Sequence, residues 1–466
     1  MQQCIDLMLT LKHNYRVFSK IHRNPYLYIL LGYVSAIVVG SSLLMLPTAA
    51  VRPIDYIDAV YTATSAICVT GLTVLDTGGV FTVFGQTVIL LLIQIGGMGV
   101  MVFSSFIMIA ARREFSFLSQ SVVEESMTMD RQIKTKKLLL YVIAITLTIE
   151  AVGALLLHSF FSGSLGSGSV YAAIFTSISA FCNAGFSLFS NNLESYSTNL
   201  GVNLTLMPLI FIGGIGYFCI IEFIRNLKTH GFYFKNYRFS IHTKVTVAVS
   251  FGLIVAGAFL FLLFEHDKLF QIYSVSDSVL VSFFQSVTAR TAGFNTFSFS
   301  SVSQATLILF GALMFIGASP ASCGGGVKTT TFWLLIKSFT ASIKNREHVF
   351  MFKRSVHKTI VKKAVLLVIL AFVWIFIATI LIAYFERADL AIGAKRVDQL
   401  IFEIISAFGT VGLSTGISDQ LTAASKIVII STMYFGRTGL LTIVSFFAFS
   451  VKEERFNYPE EDIFVG

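Results

Sequence analysis

Two glycine markers recur four times along this chain, and they constrain its architecture more than any other feature. The first ends a short Ser/Thr-rich stretch. Its key glycines, Gly71, Gly185, Gly293 and Gly412, are spaced 114, 108 and 119 residues apart. The second marker follows 25, 28, 24 and 24 residues later, as Gly96-Gly97-Met98-Gly99, Gly213-Gly214-Ile215-Gly216, Gly317-Ala318-Ser319-Pro320 and Gly436-Arg437-Thr438-Gly439. Two markers in register, four times over, define an internal repeat. A repeat among apolar segments points to a pseudo-symmetric pathway at the repeat interface.

The segments between the markers are apolar. Hydrophobic residues make up 55% and charged residues 13% of the chain, and mean hydropathy is +0.78. A soluble domain carries about 25% charged residues. The runs are long and continuous, as membrane helices require, and lack the ~10-residue alternation of a β-barrel. This composition excludes a water-soluble enzyme, a disordered chain and a disulfide scaffold. The five cysteines (Cys4, Cys68, Cys182, Cys219 and Cys323) show no CxxC pair or Cys/His ligand spacing. They read as reduced and not metal-binding. No signal-peptide pattern opens the chain, so the first apolar run reads as a span.

Candidate spans are 27–48, 81–111, 138–161, 203–224, 245–265, 303–318 with 329–341, 361–385 and 424–450. Five segments (1–24, 112–137, 225–244, 337–363 and 451–466) hold 25 of the 34 Lys and Arg residues. Positive segments stay in the cytoplasm, so the net charge of +9 reads as topogenic. No basic segment is interleaved with base-stacking aromatics, and no nucleic-acid partner is expected. The expected fold is all-α and integral to the cell (inner) membrane. Four span–pore helix–filter loop–span repeats surround one central pore with pseudo-fourfold symmetry. The expected division is a cytoplasmic N-terminus (1–26), repeat 1 (27–111), a cytoplasmic loop (112–137), repeat 2 (138–227), a loop (228–242), repeat 3 (243–341), a loop (342–357), repeat 4 (358–450) and a cytoplasmic C-terminus (451–466).

The loops suggest what crosses. Irregular backbone at membrane depth is tolerated where protein or a water-filled cavity covers it. Four such loops on one axis would aim carbonyl oxygens at it, and a carbonyl ring can replace a cation's hydration shell. Glycine suits this because it accepts φ > 0. The candidate ion-binding filter is Val69, Thr70, Gly71, Asn183, Ala184, Gly185, Thr291, Ala292, Gly293, Thr410, Val411 and Gly412. The short helix before each loop would point its negative C-terminal end at the ion. Asp55 and Asp58, Asp277 and Asp398 would complement the outer N-termini. Asp76, Glu194 and Asp419 either make the mouth negative or are ordinary loop charges.

The sixth span is interrupted over 317–331, with little helix propensity. Gly317, Ser319, Gly324, Gly325, Gly326 and Lys328 would sit below the filter as a movable gate; a static kink is the alternative. Arg437 is a charge inside a span, expected to face the bundle interior. It would stabilise filter carbonyls, raise a barrier in the pore, or satisfy helix C-termini. Arg290 lies in the third filter loop, where it would repel a cation, so it is expected to point away and brace the loop. The glycine clusters fail as nucleotide motifs, since no strand precedes them and Gly-Lys-Thr is absent. Inside spans, small residues permit close packing. No catalytic set presents itself. Glu150 has no evident partner, and Glu222 reads as an inner helix end.

Thr70-Gly71-Leu72, Asn183-Ala184-Gly185-Phe186, Ala289-Arg290-Thr291-Ala292-Gly293-Phe294 and Gly409-Thr410-Val411-Gly412-Leu413 resemble the filters of the Trk/Ktr/HKT potassium-transporter superfamily. The resemblance runs from about residue 27 to 450 and includes the 317–331 gate loop and Arg437. Too few residues precede the first span for the extra helix pair of the Trk branch, so the chain is most similar to the Ktr-type pore subunit. The resemblance implies potassium uptake via filter carbonyls, often as sodium-dependent symport. It also implies a homodimer with one pore per chain, set among membrane lipids, and a separate cytoplasmic nucleotide-binding ring that controls the gate. In plant relatives a serine in the first filter goes with sodium selectivity, so Gly71 favours potassium. No cofactor is expected in the chain itself; potassium, or sodium, is the transported ion. The alternatives are a sodium or unselective cation pathway on the same scaffold, and a membrane-embedded enzyme or assembly subunit.

Overall fold

Each repeat pairs an apolar span with a short helix that turns back into the membrane. The computed structural model describes residues 25–98, 135–346, 348–351, 354–440 and 442. Repeat 1 comprises α1 (Pro25–Leu44), the re-entrant α2 (Tyr56–Ile67) and α3 (Val83–Gly97). Repeat 2 comprises α4 (Thr135–Leu165), the re-entrant α5 (Ser169–Phe181), α6 (Leu200–Ile215) and α7 (Tyr217–His230). Repeat 3 comprises α8 (Ile241–Phe264), the re-entrant α9 (Val275–Thr288), α10 (Gln304–Phe315) and α11 (Thr329–Ile343). Repeat 4 comprises α12 (Lys358–Phe385), the re-entrant α13 (Val397–Gly409) and α14 (Ala423–Thr438). An antiparallel hairpin of β1 (Val349–Met351) and β2 (Arg354–Val356) joins repeats 3 and 4, with Val349 opposite Val356. The expected cytoplasmic termini (1–24 of the first, all of 451–466), most of loop 112–137 and the inner ends of spans 81–111 and 424–450 lie outside the described residues.

Opening and closing spans differ in length. Among the described residues, α4, α8 and α12 are each long and apolar enough to cross a membrane, and the bent pair α6–α7 makes a fourth. The 24 residues of α8 rise about 36 Å, against a hydrocarbon core of about 30 Å. They are apolar all round, and residues such as Leu155, Phe259 and Phe376 are exposed on the bundle exterior, as lipid-facing positions are. The closing helices α3, α6, α10 and α14 hold only 15, 16, 12 and 16 residues, and each stops at the second glycine marker.

The closing helices start alike. Each has a polar N-cap whose side chain accepts a backbone N–H: Thr82, Asn199, Ser303 and Thr422. In repeats 3 and 4 a glutamate just past the opening span reinforces the cap. Glu265 accepts from Ser303 N at 2.7 Å and Thr306 Oγ1 at 2.6 Å. Glu386 accepts from Thr422 N and Oγ1, both at 2.8 Å, and pairs with the buried Lys395 ammonium at 2.6 Å. Burial pushes Glu386 up, but bonds from Lys395, Ser425 and Thr422 outweigh it and bring its pKa down to about 2.

The arrangement closes on itself. Each closing helix packs against the re-entrant helix of the next repeat: α3 on α5, α6 on α9, α10 on α13, and α14 back on α2. The second marker serves a different contact, inside each repeat. A Cβ built at Gly96, Gly213 or Gly436 would overlap the main-chain carbonyl of Ile67, Phe181 or Phe408, at the end of a re-entrant helix. The same clusters also end helices. Instead of running straight from 203 to 224, the fourth span bends by 102° at Gly216, whose φ is +90°; Gly439 closes α14 at φ +81°. At Gly216 a Cβ would stand 2.6 Å from Pro320 O, so the interruption of repeat 3 occupies the space that a straight span would cross. That interruption lies between Phe315 and Thr329.

Candidate functional site

The four loops share one unusual backbone. The residue two places before each key glycine is left-handed, and so is the glycine. The φ values are +56° and +88° at Val69 and Gly71, +59° and +69° at Asn183 and Gly185, +71° and +78° at Thr291 and Gly293, and +49° and +93° at Thr410 and Gly412. Left-handed backbone is costly for non-glycine residues, so its fourfold recurrence at one register is a built feature. Local bonds support it. Ser65 and Ser406 each accept the key glycine's N–H at 3.1 Å. In repeat 2, Ser179 donates to Phe186 O at 2.8 Å, and the Asn183 amide meets Thr291 Oγ1 at 3.2 Å, tying the second loop to the third.

The loops interlock as a ring. A Cβ built on Gly185 would stand 2.8 Å from Ala292 O. Cβ atoms on Gly71, Gly293 and Gly412 would overlap the carbonyl oxygens of Ala184, Val411 and Thr70 more deeply. In every case the oxygen belongs to the residue before the next repeat's glycine, and the order runs one to two, three, four and back to one.

Above the ring lies an open cavity of about 440 Å³, bounded by Gly71, Gly185 and Gly412 and carrying Asp76, Glu194 and Asp419. These three acids thus share one mouth. Burial raises the Glu194 carboxyl above its ordinary value. The re-entrant helices carry Asp55 and Asp58, Asp277 and Asp398 in their first turns or caps, while α5 has none. Asp58 is paired with Lys426 at 2.7 Å.

Below the ring lies the interruption of repeat 3. Gly325 N donates to Thr410 Oγ1 at 2.7 Å, and Gly324 sits against Thr291 Oγ1 with no room for a Cβ. Ser319 N and Cys323 N donate to Gly214 O and Gly213 O at 3.1 and 3.2 Å, and Ala321 O accepts from Tyr217 N at 3.0 Å. Ser319 Oγ meets Thr329 Oγ1 at 3.1 Å. The Lys328 ammonium donates to Gly324 O at 2.6 Å, within its own loop. Gly317 and Gly326 pack face to face where the loop enters and leaves. Arg437 donates to Cys323 O and to Gly96 O. Its bonds therefore go to the loop and to the last turn of α3, not to filter carbonyls. Arg290 turns away from the ring and donates to Ile316 O at 2.8 Å and Gly317 O at 3.0 Å, bracing the interruption rather than its own loop.

Two carboxylates gain partners. Both Glu150 carboxylate oxygens accept from the Gln94 Nε2, at 3.2 and 3.1 Å, and Oε1 also accepts from Cys182 Sγ at 3.6 Å. Glu222 lies within α7 rather than at a helix end; it accepts from Ser240 N at 2.8 Å and from Thr243 Oγ1, and so caps α8. A third, Glu403 in α13, escaped the sequence reading. Its only sequence signal is a carboxylate nine residues before the key glycine, where the other repeats have Thr62, Thr176 and Phe284. Among the described residues the cysteines are free and buried, and no cluster could hold a metal through His, Cys, Asp and Glu side chains.

A family model described as TrkH, a cation transport protein, matches residues 21–458. The chain belongs to the TrkH cation transport family. This TrkH family member is 35% identical to the Ktr system potassium uptake protein B of Bacillus subtilis, over 97% of this chain and 99% of that one. It is 34% identical to the potassium/sodium uptake protein NtpJ of Enterococcus hirae, over 95% and 97%. Its fold matches the crystal structure of the potassium transporter TrkH from Vibrio parahaemolyticus, with a TM-score of 0.70, 18% identity, and 91% and 84% of the two chains covered. Family and fold make this chain a multi-pass membrane transporter.

Proposed function

We propose that this chain is the pore subunit of a potassium uptake system of Ktr type. The observation that carries the reading is the closed ring, in which each repeat's glycine makes room for the carbonyl of the next. Carbonyls around 69–71, 183–185, 291–293 and 410–412 replace the ion's hydration shell, and the C-terminal ends of four re-entrant helices favour a cation there. The acidic mouth concentrates cations above the ring. The 317–331 loop, pinned to filter side chains and to Arg437, is the gate in its closed position. Uptake runs down an inside-negative potential, worth about 2.3 kcal/mol per charge per 100 mV.

The substrate is potassium, in keeping with the B. subtilis relative's name. Sodium is the second reading, favoured by the name of the E. hirae relative. The subunit works as a homodimer in the cell membrane with both termini cytoplasmic, and a separate nucleotide-binding ring controls the gate. Basic segments 225–244 and 337–363 are candidate docking surfaces for that ring, and 112–137, mostly outside the described residues, is a third.

The test is rubidium uptake in bacteria lacking their own potassium uptake systems. They express a Ktr-type nucleotide-binding partner with the wild type or Gly293→Ser, with and without external sodium. Wild-type uptake that the variant loses or makes unselective is expected. A membrane-inserted wild type that moves no alkali cation in any arm would refute the reading, and sodium uptake without rubidium uptake would establish the second.

A further inference from the structure

The four repeats are not equivalent around the mouth. Glu403 is 1% exposed and is surrounded by donors from the loop that follows the fourth key glycine. Its Oε1 accepts from Ser414 Oγ at 2.6 Å, Thr415 N at 2.9 Å and Thr415 Oγ1 at 3.3 Å, and its Oε2 accepts from Ser418 Oγ at 2.8 Å. Ser414, Thr415 and Ser418 line the 440 Å³ cavity beside Gly412. In repeat 3 the Gln285 amide reaches Thr296 and Phe297 instead. That contact is neutral, so among the described residues repeat 4 alone holds the loop after its key glycine with a carboxylate of its re-entrant helix.

A hydroxyl has one proton and two lone pairs. Each hydroxyl that gives its proton to Glu403 keeps only lone pairs for other partners. The wall of the mouth next to Gly412 therefore offers oxygen acceptors and no hydroxyl donors. We infer that Glu403 is a positioning and specificity residue for cation entry: it directs three hydroxyl protons away from the mouth, so that repeat 4 presents acceptor oxygens to an ion shedding water above the filter. The inference rests on the pore reading above. A glutamine at 403 keeps the shape but donates through its NH2, so at least one hydroxyl must turn its proton toward the cavity.

The test compares wild type, Glu403→Gln, Glu403→Asp and Ser418→Ala in the same rubidium uptake assay, with the partner present and membrane-inserted protein quantified. Glu403→Gln is expected to raise KM for rubidium about tenfold, as loss of a charged hydrogen bond does. Maximal rate per inserted protein stays within about twofold, and preference over sodium falls. Glu403→Asp recovers part of the KM. Ser418→Ala, which leaves the carboxylate in place, raises KM about threefold and serves if Glu403→Gln does not insert. A merely structural Glu403 would lower maximal rate or protein level and leave KM and ion preference alone, and that outcome overturns the inference. Unchanged KM in Ser418→Ala overturns it as well. A wild type that moves no alkali cation overturns the pore reading and this inference together, whereas a competent wild type with an unaltered Glu403→Gln KM overturns this inference alone.

Discussion

Thr410→Val tests whether filter and gate loop are latched together. The perturbation is nearly isosteric, and the required backbone tolerates it, because Val69 holds the equivalent left-handed position in repeat 1 at φ +56°, against +49° at Thr410. What it removes is the 2.7 Å bond from Gly325 N to Thr410 Oγ1. Thr410 is fully buried, so with the loop in place the Gly325 N–H is left without a partner. An unpaired buried donor costs about 1–3 kcal/mol. The cost falls on the closed arrangement alone, because a displaced loop can find other partners. The closed-to-open equilibrium should therefore shift by about 5- to 150-fold. The assay is rubidium uptake in cells without the proposed nucleotide-binding partner, the condition in which the proposed function has the gate closed. Partner-independent uptake should rise at least about fivefold, with ion preference kept. Unchanged uptake at equal membrane abundance would refute the latch, and lost ion preference would show that the side chain supports the filter instead.

Two further substitutions probe the framework. Arg437→Lys replaces a fork that reaches two carbonyls on different elements with a single ammonium; partner-independent uptake should rise, and unchanged uptake would mean that tie does not hold the loop. Glu386→Gln leaves the buried Lys395 with Asp389 as its remaining carboxylate and should destabilise the fold by about 2 kcal/mol near neutrality, the loss of a charged hydrogen bond. Because Glu386 titrates at about 2 when folded, its contribution is full above the ordinary carboxylate pKa of about 4.3 and is lost as pH falls toward about 2. Thermal melts of purified protein should show a constant gap between wild type and variant at higher pH that closes on acidification. A gap that persists at the acid end would contradict the pairing.

What could be read in advance follows from where the backbone is crowded. Gly71, Gly185, Gly293 and Gly412 stand where another main chain leaves no space for a Cβ, so their register, and with it the four loops, is visible in one dimension. The 317–331 interruption was legible for a related reason, since its glycines meet Gly409 and Thr410 closely enough to exclude side chains. The 102° bend at Gly216 was not, because the carbonyl crowding that glycine belongs to Pro320, far off in the sequence, while the local run stays apolar. The partners of Arg437 and Glu150 were hidden in the same way. Both residues announced themselves as charges inside spans, but Gly96, Cys323, Gln94 and Cys182 are ordinary residues until the fold brings them close. Glu403 was overlooked because one carboxylate in one repeat breaks the pattern that made the rest readable.

The interlocked glycines carry a consequence for how such a chain can be assembled and altered. The aperture is not encoded in any single repeat, since each unit supplies one edge of a gap whose other edge comes from its neighbour. Its width is a closure property, defined only after the last unit has met the first. A half-length chain would thus carry two complete loop sequences and no calibrated opening. A bulkier residue at one station would displace the next carbonyl in turn, so tolerance to change is shared by all four stations.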